Sequence, residues 1–208
     1  MNKPAQNGDL LSFFQKHSAP GRIGLLHFDF PPARLIDFGQ RDLTRDHKSA
    51  QWAHVCLFIE SRDGEPWIAE SDMNIKSRGS NKSADGPQIC SVRKWIGGHL
   101  DHAAVLESGL TLEQARQAEK RAHELIAEGN KYGLLELAGT WMAIKKRDLT
   151  YHSALHREHT MHCSHFLRLI LRAADCDPFG QSIAPENTTP EHIFQSFKMV
   201  AEWRKEKA

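Results

Sequence analysis

The sequence predicts an α+β fold in which a small, mostly antiparallel sheet or half-barrel packs against helices. Short runs rich in β-branched and aromatic residues dominate the first half of the chain, and segments with helical spacing and capping residues dominate the second. The 208 residues suffice for one well-buried domain. Because we find no repeat and no linker, we expect residues 1–208 to form that single domain.

The first predicted elements are a short helix and a strand. An amphipathic stretch that follows Asp9 predicts a helix over about 9–17. The apolar run at 23–30 predicts a strand that ends at the proline pair 31–32. The polar residues 39–51 are expected to form a loop.

A pair of adjacent strands is predicted next. Residues 52–59 are apolar on both faces, as in a central strand that is covered on both sides. A turn at 61–66 leads to a second strand at 67–71. The remaining elements of this region are a surface loop at 76–86 and strands near 88–92 and 103–106.

This strand pair carries the first candidate site residues. His54 is the one polar residue in its strand. If the strands pair symmetrically about position 63, Glu70 lies opposite Cys56 and Asp72 lies opposite His54, all on one face. A carboxylate can then reach the imidazole, hold it in one tautomer and stabilise its charged form. Both Glu70 and Asp72 are candidates for this role.

Helices are predicted in the second half of the chain. A capping box of Thr111 and Gln114 begins a helix with apolar residues on one face. A second, apolar helix is expected over about 132–144. A threonine N-cap followed by Pro190 at the first helical position predicts a C-terminal helix over about 190–205.

Cys163 is the candidate nucleophile. If Thr160 is the N-cap of the helix that follows, Cys163 is its third residue, where unsatisfied N–H groups and the helix dipole favour a thiolate. Although an isolated cysteine is more often buried and inert, His54 provides the distant base that a cysteine nucleophile requires. The other cysteines are interpreted as structural: Cys56, Cys90 and Cys176.

A histidine-rich stretch around Cys163 offers an alternative, a zinc site. Spacings of three and four place several of its histidines on one helical face. An N-cap at Thr160 would divide the stretch into two elements, however, and no HExxH pattern provides a general base. We therefore assign no metal and no cofactor, and keep zinc binding as an alternative for the following residues: His152, His156, His159, His162, Cys163 and His165.

Composition limits the classes of function. The 27 Lys and Arg nearly balance the 26 Asp and Glu, without a long basic block, which argues against nucleic acid as a partner. Residues 1–8 lack the apolar core of a signal peptide, and no segment is apolar over a membrane-spanning length. We expect a cytoplasmic product, as synthesised, with reduced cysteines and no integral membrane segment. Export without a signal peptide would leave no trace in the sequence.

The order of these features resembles a known family. A strand with His54 precedes a short strand with Glu70, followed by a helix that ends in Gly-x-x-Tyr at 129–132 and by a Cys-Ser pair at Cys163. Over about residues 20–175, this order resembles the circularly permuted papain-like hydrolases of the NlpC superfamily, especially the YiiX/YaeF-like amidase group. The chain departs from that group in the residues that flank the Cys-Ser pair, both of which are histidines.

The resemblance implies a permuted papain-like fold and a cysteine amidase or peptidase. Cys163 would be the nucleophile, His54 the general base and acid, and Glu70 the residue that orients His54. The implied reaction passes through an acyl-enzyme, with the oxyanion held by the backbone N–H of Cys163 and a second donor.

The superfamily also implies a substrate class, the peptides of bacterial cell-wall peptidoglycan. A compact amidase without a signal peptide suits an antibacterial toxin delivered by a contractile, type VI secretion apparatus, with an immunity protein as a further partner. Two alternatives stay open. One is a thiol-dependent acyltransferase or lipid hydrolase on the same fold, which apolar surface near Cys163 would favour. The other is a zinc-binding, non-catalytic interaction module.

Overall fold

The computed structural model describes residues 9–29, 31–44, 50–73, 85–96 and 99–205, and has an α+β fold. In the described part of the chain, no helix has the length and apolarity required to cross a bilayer. The elements in chain order are α1 (Leu10–His17), β1 (Ile23–Phe28), α2 (Pro31–Gln40), β2 (His54–Arg62), β3 (Glu65–Asp72), β4 (Gly86–Ser91), β5 (Leu100–Glu107), α3 (Leu112–Ala127), α4 (Leu134–Lys146), α5 (Cys163–Ala173), α6 (Pro190–Ser196) and β6 (Lys198–Arg204).

One six-stranded sheet organises the fold. Its strand order is β4-β3-β2-β1-β5-β6, and every neighbouring pair is antiparallel. β2 is buried through its first six residues, as the prediction of a central, doubly covered strand required. In the β2–β3 pair, Leu57 lies opposite Ala69 and Phe58 opposite Ile68, which confirms the register predicted by symmetry about position 63.

Each face of the sheet has its own apolar layer. Leu57 and Ala69 belong to the layer that packs against α3 and α5. Phe58 and Ile68 belong to the opposite layer, which includes the buried side of α1. Because side chains alternate along a strand, successive residues of β2 and of β3 point to opposite faces of the sheet. The site described below uses both faces of this strand pair.

Two helical predictions are confirmed in detail. The N-terminal helix α1 has Asp9 as its N-cap, whose side chain accepts the N–H of Leu11. The capping box of Thr111 and Gln114 is complete and begins α3. In both places the signal is local, because a capping side chain satisfies backbone N–H groups within three residues of itself.

The prediction of a C-terminal helix over 190–205 is wrong beyond Ser196. Thr189 does cap α6, with Pro190 at its first position, but the chain then forms β6 and pairs with β5. Without this partner, β5 would expose a row of unpaired backbone groups at the sheet edge. That pairing outweighs the helical spacing of the apolar residues, and Trp203 is buried in the layer beside α1.

The region between the first strand and the central strand pair also differs from its prediction. A helix, α2, begins at Pro31, since the missing N–H of proline costs nothing in a first helical turn. α2 continues to Gln40, so the predicted loop at 39–51 begins with its last two residues and with a 3₁₀ turn at Arg41–Leu43. Residues 45–49 and 76–84 of the predicted loops lie outside the described residues, and Gly86 already belongs to β4.

Candidate active site

The helix that carries Cys163 begins later than predicted. Its N-cap is His162 rather than Thr160, and an Nδ1 atom of that imidazole accepts a backbone N–H of the first turn. The residues just before the helix are extended, because Thr160 forms a parallel β-bridge with Lys131. The N–H of Met161 also donates to the Lys131 carbonyl at 2.9 Å. Cys163 is therefore the first helical residue instead of the third. It remains within the first turn, where N–H groups lack intrahelical partners.

His54 and Glu70 form a buried pair on the strand pair, as predicted. The Nε2 atom of His54 lies 2.7 Å from Oε2 of Glu70, and both side chains are almost wholly buried. This bond uses one ring nitrogen and leaves Nδ1 for a second partner. Cys163 lies close enough to His54 for the charges of the two side chains to act on each other. The structure thus brings together the three predicted residues, Cys163, His54 and Glu70.

The geometry also separates the two candidate carboxylates. Glu70 binds His54, whereas an Oδ2 atom of Asp72 accepts from Lys94 at 2.9 Å. Lys94 donates to Glu70 as well, and the Nε2 group of Gln88 donates to the same Glu70 oxygen at 2.9 Å. Lys94 and Gln88 were not identified from the sequence. Gln88 lies on β4 and Lys94 lies in the 3₁₀ turn that follows it. Only the β3–β4 pairing places both side chains beside Glu70.

The charges of the site stabilise one another. Burial alone would lower the pKa of His54, but the Cys163 thiolate and the Glu70 carboxylate reverse that effect and raise it above its ordinary value. Burial alone would raise the pKa of Cys163, but the positive charge of His54, with a further contribution from His162, lowers it well below the usual thiol range. Burial also opposes ionisation of Glu70, and Lys94 together with His54 lowers the pKa of this carboxyl. A thiolate–imidazolium pair results at neutral pH.

Ser71 joins the two halves of the site. Its hydroxyl donates to the Met161 carbonyl at 2.7 Å, two residues before Cys163. Ser71 follows Glu70 directly in β3, so one strand holds both the carboxylate and the segment that leads to the nucleophile. The bond is between residues 90 positions apart in the chain, and no local pattern in the sequence indicates it.

The histidine-rich stretch does not lie on one helical face. Residues 151–161 are irregular, and only His165 of the predicted set lies within α5. The Nε2 atom of His162 donates to the Glu186 carbonyl at 2.9 Å, and His152 bonds to the Glu186 carboxylate. His156 and His165 both contact a residue that was not considered from the sequence, Glu136 of α4.

An apolar groove opens beside Cys163. Its volume is about 480 Å³, within the range of small-molecule sites. None of its described lining residues is Asp, Glu, Lys or Arg. Phe38, Leu134 and Trp141 along the groove are each more than two-fifths exposed. The lining residues are Ile36, Phe38, Gly39, Gln40, Ala53, Met73, Tyr132, Leu134, Leu137, Ala138, Thr140, Trp141, Ile144, His162, Cys163, Thr188, Thr189 and Pro190.

The thiol chemistry predicts selective alkylation of Cys163. Its lowered pKa means that the thiolate is present at neutral pH and is lost only as the pH falls through that lowered value. Burial raises the pKa of the other three thiols, so they should react slowly below pH 8. Limited iodoacetamide at pH 6.5, followed by peptide mass spectrometry, should modify Cys163 first. In His54→Ala the reaction should require a pH at or above the ordinary thiol pKa of about 8.5. Equal labelling of all four cysteines only at alkaline pH would contradict the assigned ion pair.

Comparison with known proteins adds no assignment. No protein-family model matches the chain, and no curated protein matches it. The roles of Cys163, His54 and Glu70 therefore depend on their geometry and chemistry.

Proposed function

We propose that this protein is a cysteine hydrolase with a permuted papain-like fold that cleaves ester or amide bonds of apolar acyl groups. The observation that carries the proposal is the Cys163–His54–Glu70 arrangement, in which Cys163 also lines an apolar groove. The fold assignment is supported by the order of the parts: the strand with His54, the neighbouring strand with Glu70, and a later helix that begins at Cys163.

The reaction follows from the charge states of the site. The Cys163 thiolate attacks the carbonyl carbon, and the C=O electron pair moves to oxygen, where the backbone N–H of Cys163 at the start of α5 can stabilise it. The imidazolium of His54 then donates its proton to the leaving oxygen or nitrogen. Neutral His54 takes a proton from water, which attacks the thioester and releases the acid. Glu70 stabilises the charged imidazole and keeps Nδ1 towards the sulfur.

The groove lining favours one of the substrate classes that the sequence leaves open. Peptidoglycan stem peptides carry carboxylates and amines, and a binding site for them needs charged or hydrogen-bonding partners. The groove instead presents mainly aliphatic and aromatic side chains of α2 and α4, and polar members of its lining such as Gln40 and Thr140 already form hydrogen bonds within the protein. Burial of an acyl chain there is favourable by about 0.8 kcal/mol per methylene. An acyl-lipid hydrolase is therefore our leading function, and peptidoglycan cleavage is the second candidate to be tested.

A chain-length series tests the proposal. Wild type and Cys163→Ala are incubated with acyl esters from two to sixteen carbons and, separately, with purified peptidoglycan, and the products are identified by mass spectrometry. We expect kcat/KM of the wild type to rise by up to about fourfold per methylene until the groove is filled. Release of peptide fragments without any chain-length dependence would favour the peptidoglycan function instead. If the protein turned over neither the esters nor the peptidoglycan, the enzyme assignment would be contradicted.

A charge placed in the groove provides a matched test. Ala138 of α4 lines the groove, whereas Leu135, on the same helix, does not. Both positions are exposed, and glutamate is compatible with a helix, so both substitutions should preserve the fold. Ala138→Glu should reduce kcat/KM for the longest ester at least tenfold with little effect on the two-carbon ester. Leu135→Glu should leave both rates near wild type.

A further inference from the structure

Three ligand-type side chains converge at a place separate from the thiol. Glu136 lies in α4, His156 in the irregular segment before α5, and His165 in α5. The Nδ1 atom of His156 is 2.8 Å from Oε1 of Glu136, and Nδ1 of His165 is 3.3 Å from Oε2. One potential ligand atom from each residue lies within 4.8 Å of the other two.

The carboxylate of this cluster is held in place by its surroundings. The Glu136 side chain is only 1 % exposed, and it lies against Gly133 in the preceding turn. A Cβ atom at Gly133 would be 2.6 Å from the carboxyl carbon, so this position of Glu136 requires glycine there. The hydroxyl of Thr160 donates to Oε1 of Glu136 at 2.8 Å. This contact resembles the outer hydrogen bonds that orient carboxylate ligands in metal sites.

The donor set matches the preferences of zinc. Two imidazoles and one carboxylate are common zinc ligands, with bonds of about 2.0–2.2 Å and a fourth position left for water. Ligand atoms around a tetrahedral zinc are therefore about 3.4 Å apart. The 2.8 and 3.3 Å distances run to different oxygens of Glu136, and the three ligand atoms all lie within 4.8 Å of one another, so the set must contract by about 1.4 Å at most to reach that spacing. His156 is 37 % exposed, so an ion can enter from solvent.

We propose that Glu136, His156 and His165 form a binding site for a divalent transition metal of the zinc type. The bound ion would join α4, the irregular segment before α5, and α5 itself. Cys163 is not part of the ligand set, and the hydrolytic steps proposed above do not pass through the metal. Because His165 lies two residues after Cys163, the ion would restrain the segment that presents the nucleophile. The proposal does not depend on the hydrolase assignment.

Metal analysis of purified, tag-free protein tests the site. After chelator treatment and dialysis, the protein is titrated with zinc in a calorimeter, and the bound metal is measured by mass spectrometry. We expect one zinc per chain and a higher Tm with zinc. His156→Ala should weaken binding at least about 100-fold, since even an outer-shell change costs 10–100-fold. His152→Ala, which alters a neighbouring histidine bound to Glu186, should bind as wild type does.

Cobalt substitution supplies a second readout that does not depend on stability. A cobalt ion bound by two imidazoles and a carboxylate should absorb in the visible range without the intense near-ultraviolet band of thiolate ligation. The spectrum should be the same in Cys163→Ala and lost in His156→Ala and Glu136→Gln. Circular dichroism identifies any variant that is misfolded, and His156, being partly exposed, is the safer position. Absence of stoichiometric zinc, or unchanged affinity in folded His156→Ala, would overturn the proposal.

Discussion

Replacing Cys163 by alanine is expected to abolish turnover, with a loss of about four orders of magnitude or more. Loss of a nucleophile removes the covalent pathway altogether, and removal of a catalytic unit in well-studied hydrolases costs a comparable factor. The substitution deletes one sulfur atom and leaves the first turn of α5 intact. The measurement is the steady-state rate on the best ester, with Tm and circular dichroism as checks on folding.

A second cysteine serves as the matched control for this experiment. Cys176, whose thiol faces the Ser108 carbonyl, lies after the end of α5 and outside the site. Cys176→Ala should therefore retain wild-type turnover. His54→Ala should be as damaging as Cys163→Ala, because it removes both the base and the charge that sustains the thiolate. Unimpaired turnover by Cys163→Ala would refute the nucleophile assignment, whatever the substrate.

Exchange of Glu70 for glutamine is expected to give a large but smaller loss, about 10²–10⁴-fold in kcat. A comparable loss follows when the buried carboxylate of a serine-protease triad is replaced by its amide. The amide has nearly the same shape as the carboxylate but lacks its negative charge. The imidazolium of His54 then loses a buried partner at 2.7 Å, and the pKa of Cys163 should rise as a result.

Asp72→Asn is the matched control for Glu70→Gln. Both substitutions remove one negative charge near Lys94, but Glu70 also binds His54 directly. We expect Asp72→Asn to change kcat less than tenfold and to leave alkylation at pH 6.5 unchanged. Glu70→Gln should slow that alkylation together with kcat. If Asp72→Asn were the crippling change and Glu70→Gln harmless, Asp72 would be the orienting residue.

The placement of His54 beside a carboxylate could be predicted from sequence because its determinants are local. The strand pair forms between two apolar runs joined by a short turn, so symmetry about position 63 sufficed to place His54 and Glu70 on one face. The helix start was displaced by two residues for a non-local reason. Pairing of the preceding segment with Lys131 keeps Thr160 and Met161 out of the helix, so Thr160 cannot cap it. His162 is the N-cap instead, although histidine is not among the residue types preferred at that position.

The features that bear on substrate and metal could not be predicted in the same way. The groove forms between α2 and α4, which lie more than ninety residues apart in the chain. The two prolines that begin α2 suggested the end of an element rather than the start of a helix. In the sequence, Glu136 looks like an ordinary exposed helix residue. In the structure, α5 and the segment before it cover its side chain, which is buried. These sites depend on packing between distant segments, for which a single sequence has no periodic signal.

The turn between β2 and β3 has a consequence for how this protein tolerates change. Asp63 and Gly64 both have positive φ, 53° and 74°, and the strands shift register by a bulge between Ile59 and Arg62. Surface turns usually accept insertions and deletions. Here one added or lost residue would invert the alternation of β3, so that Ser71 would face His54 and Glu70 would face Met161. Length variation in this turn should therefore be selected against as strongly as substitution of the reacting groups.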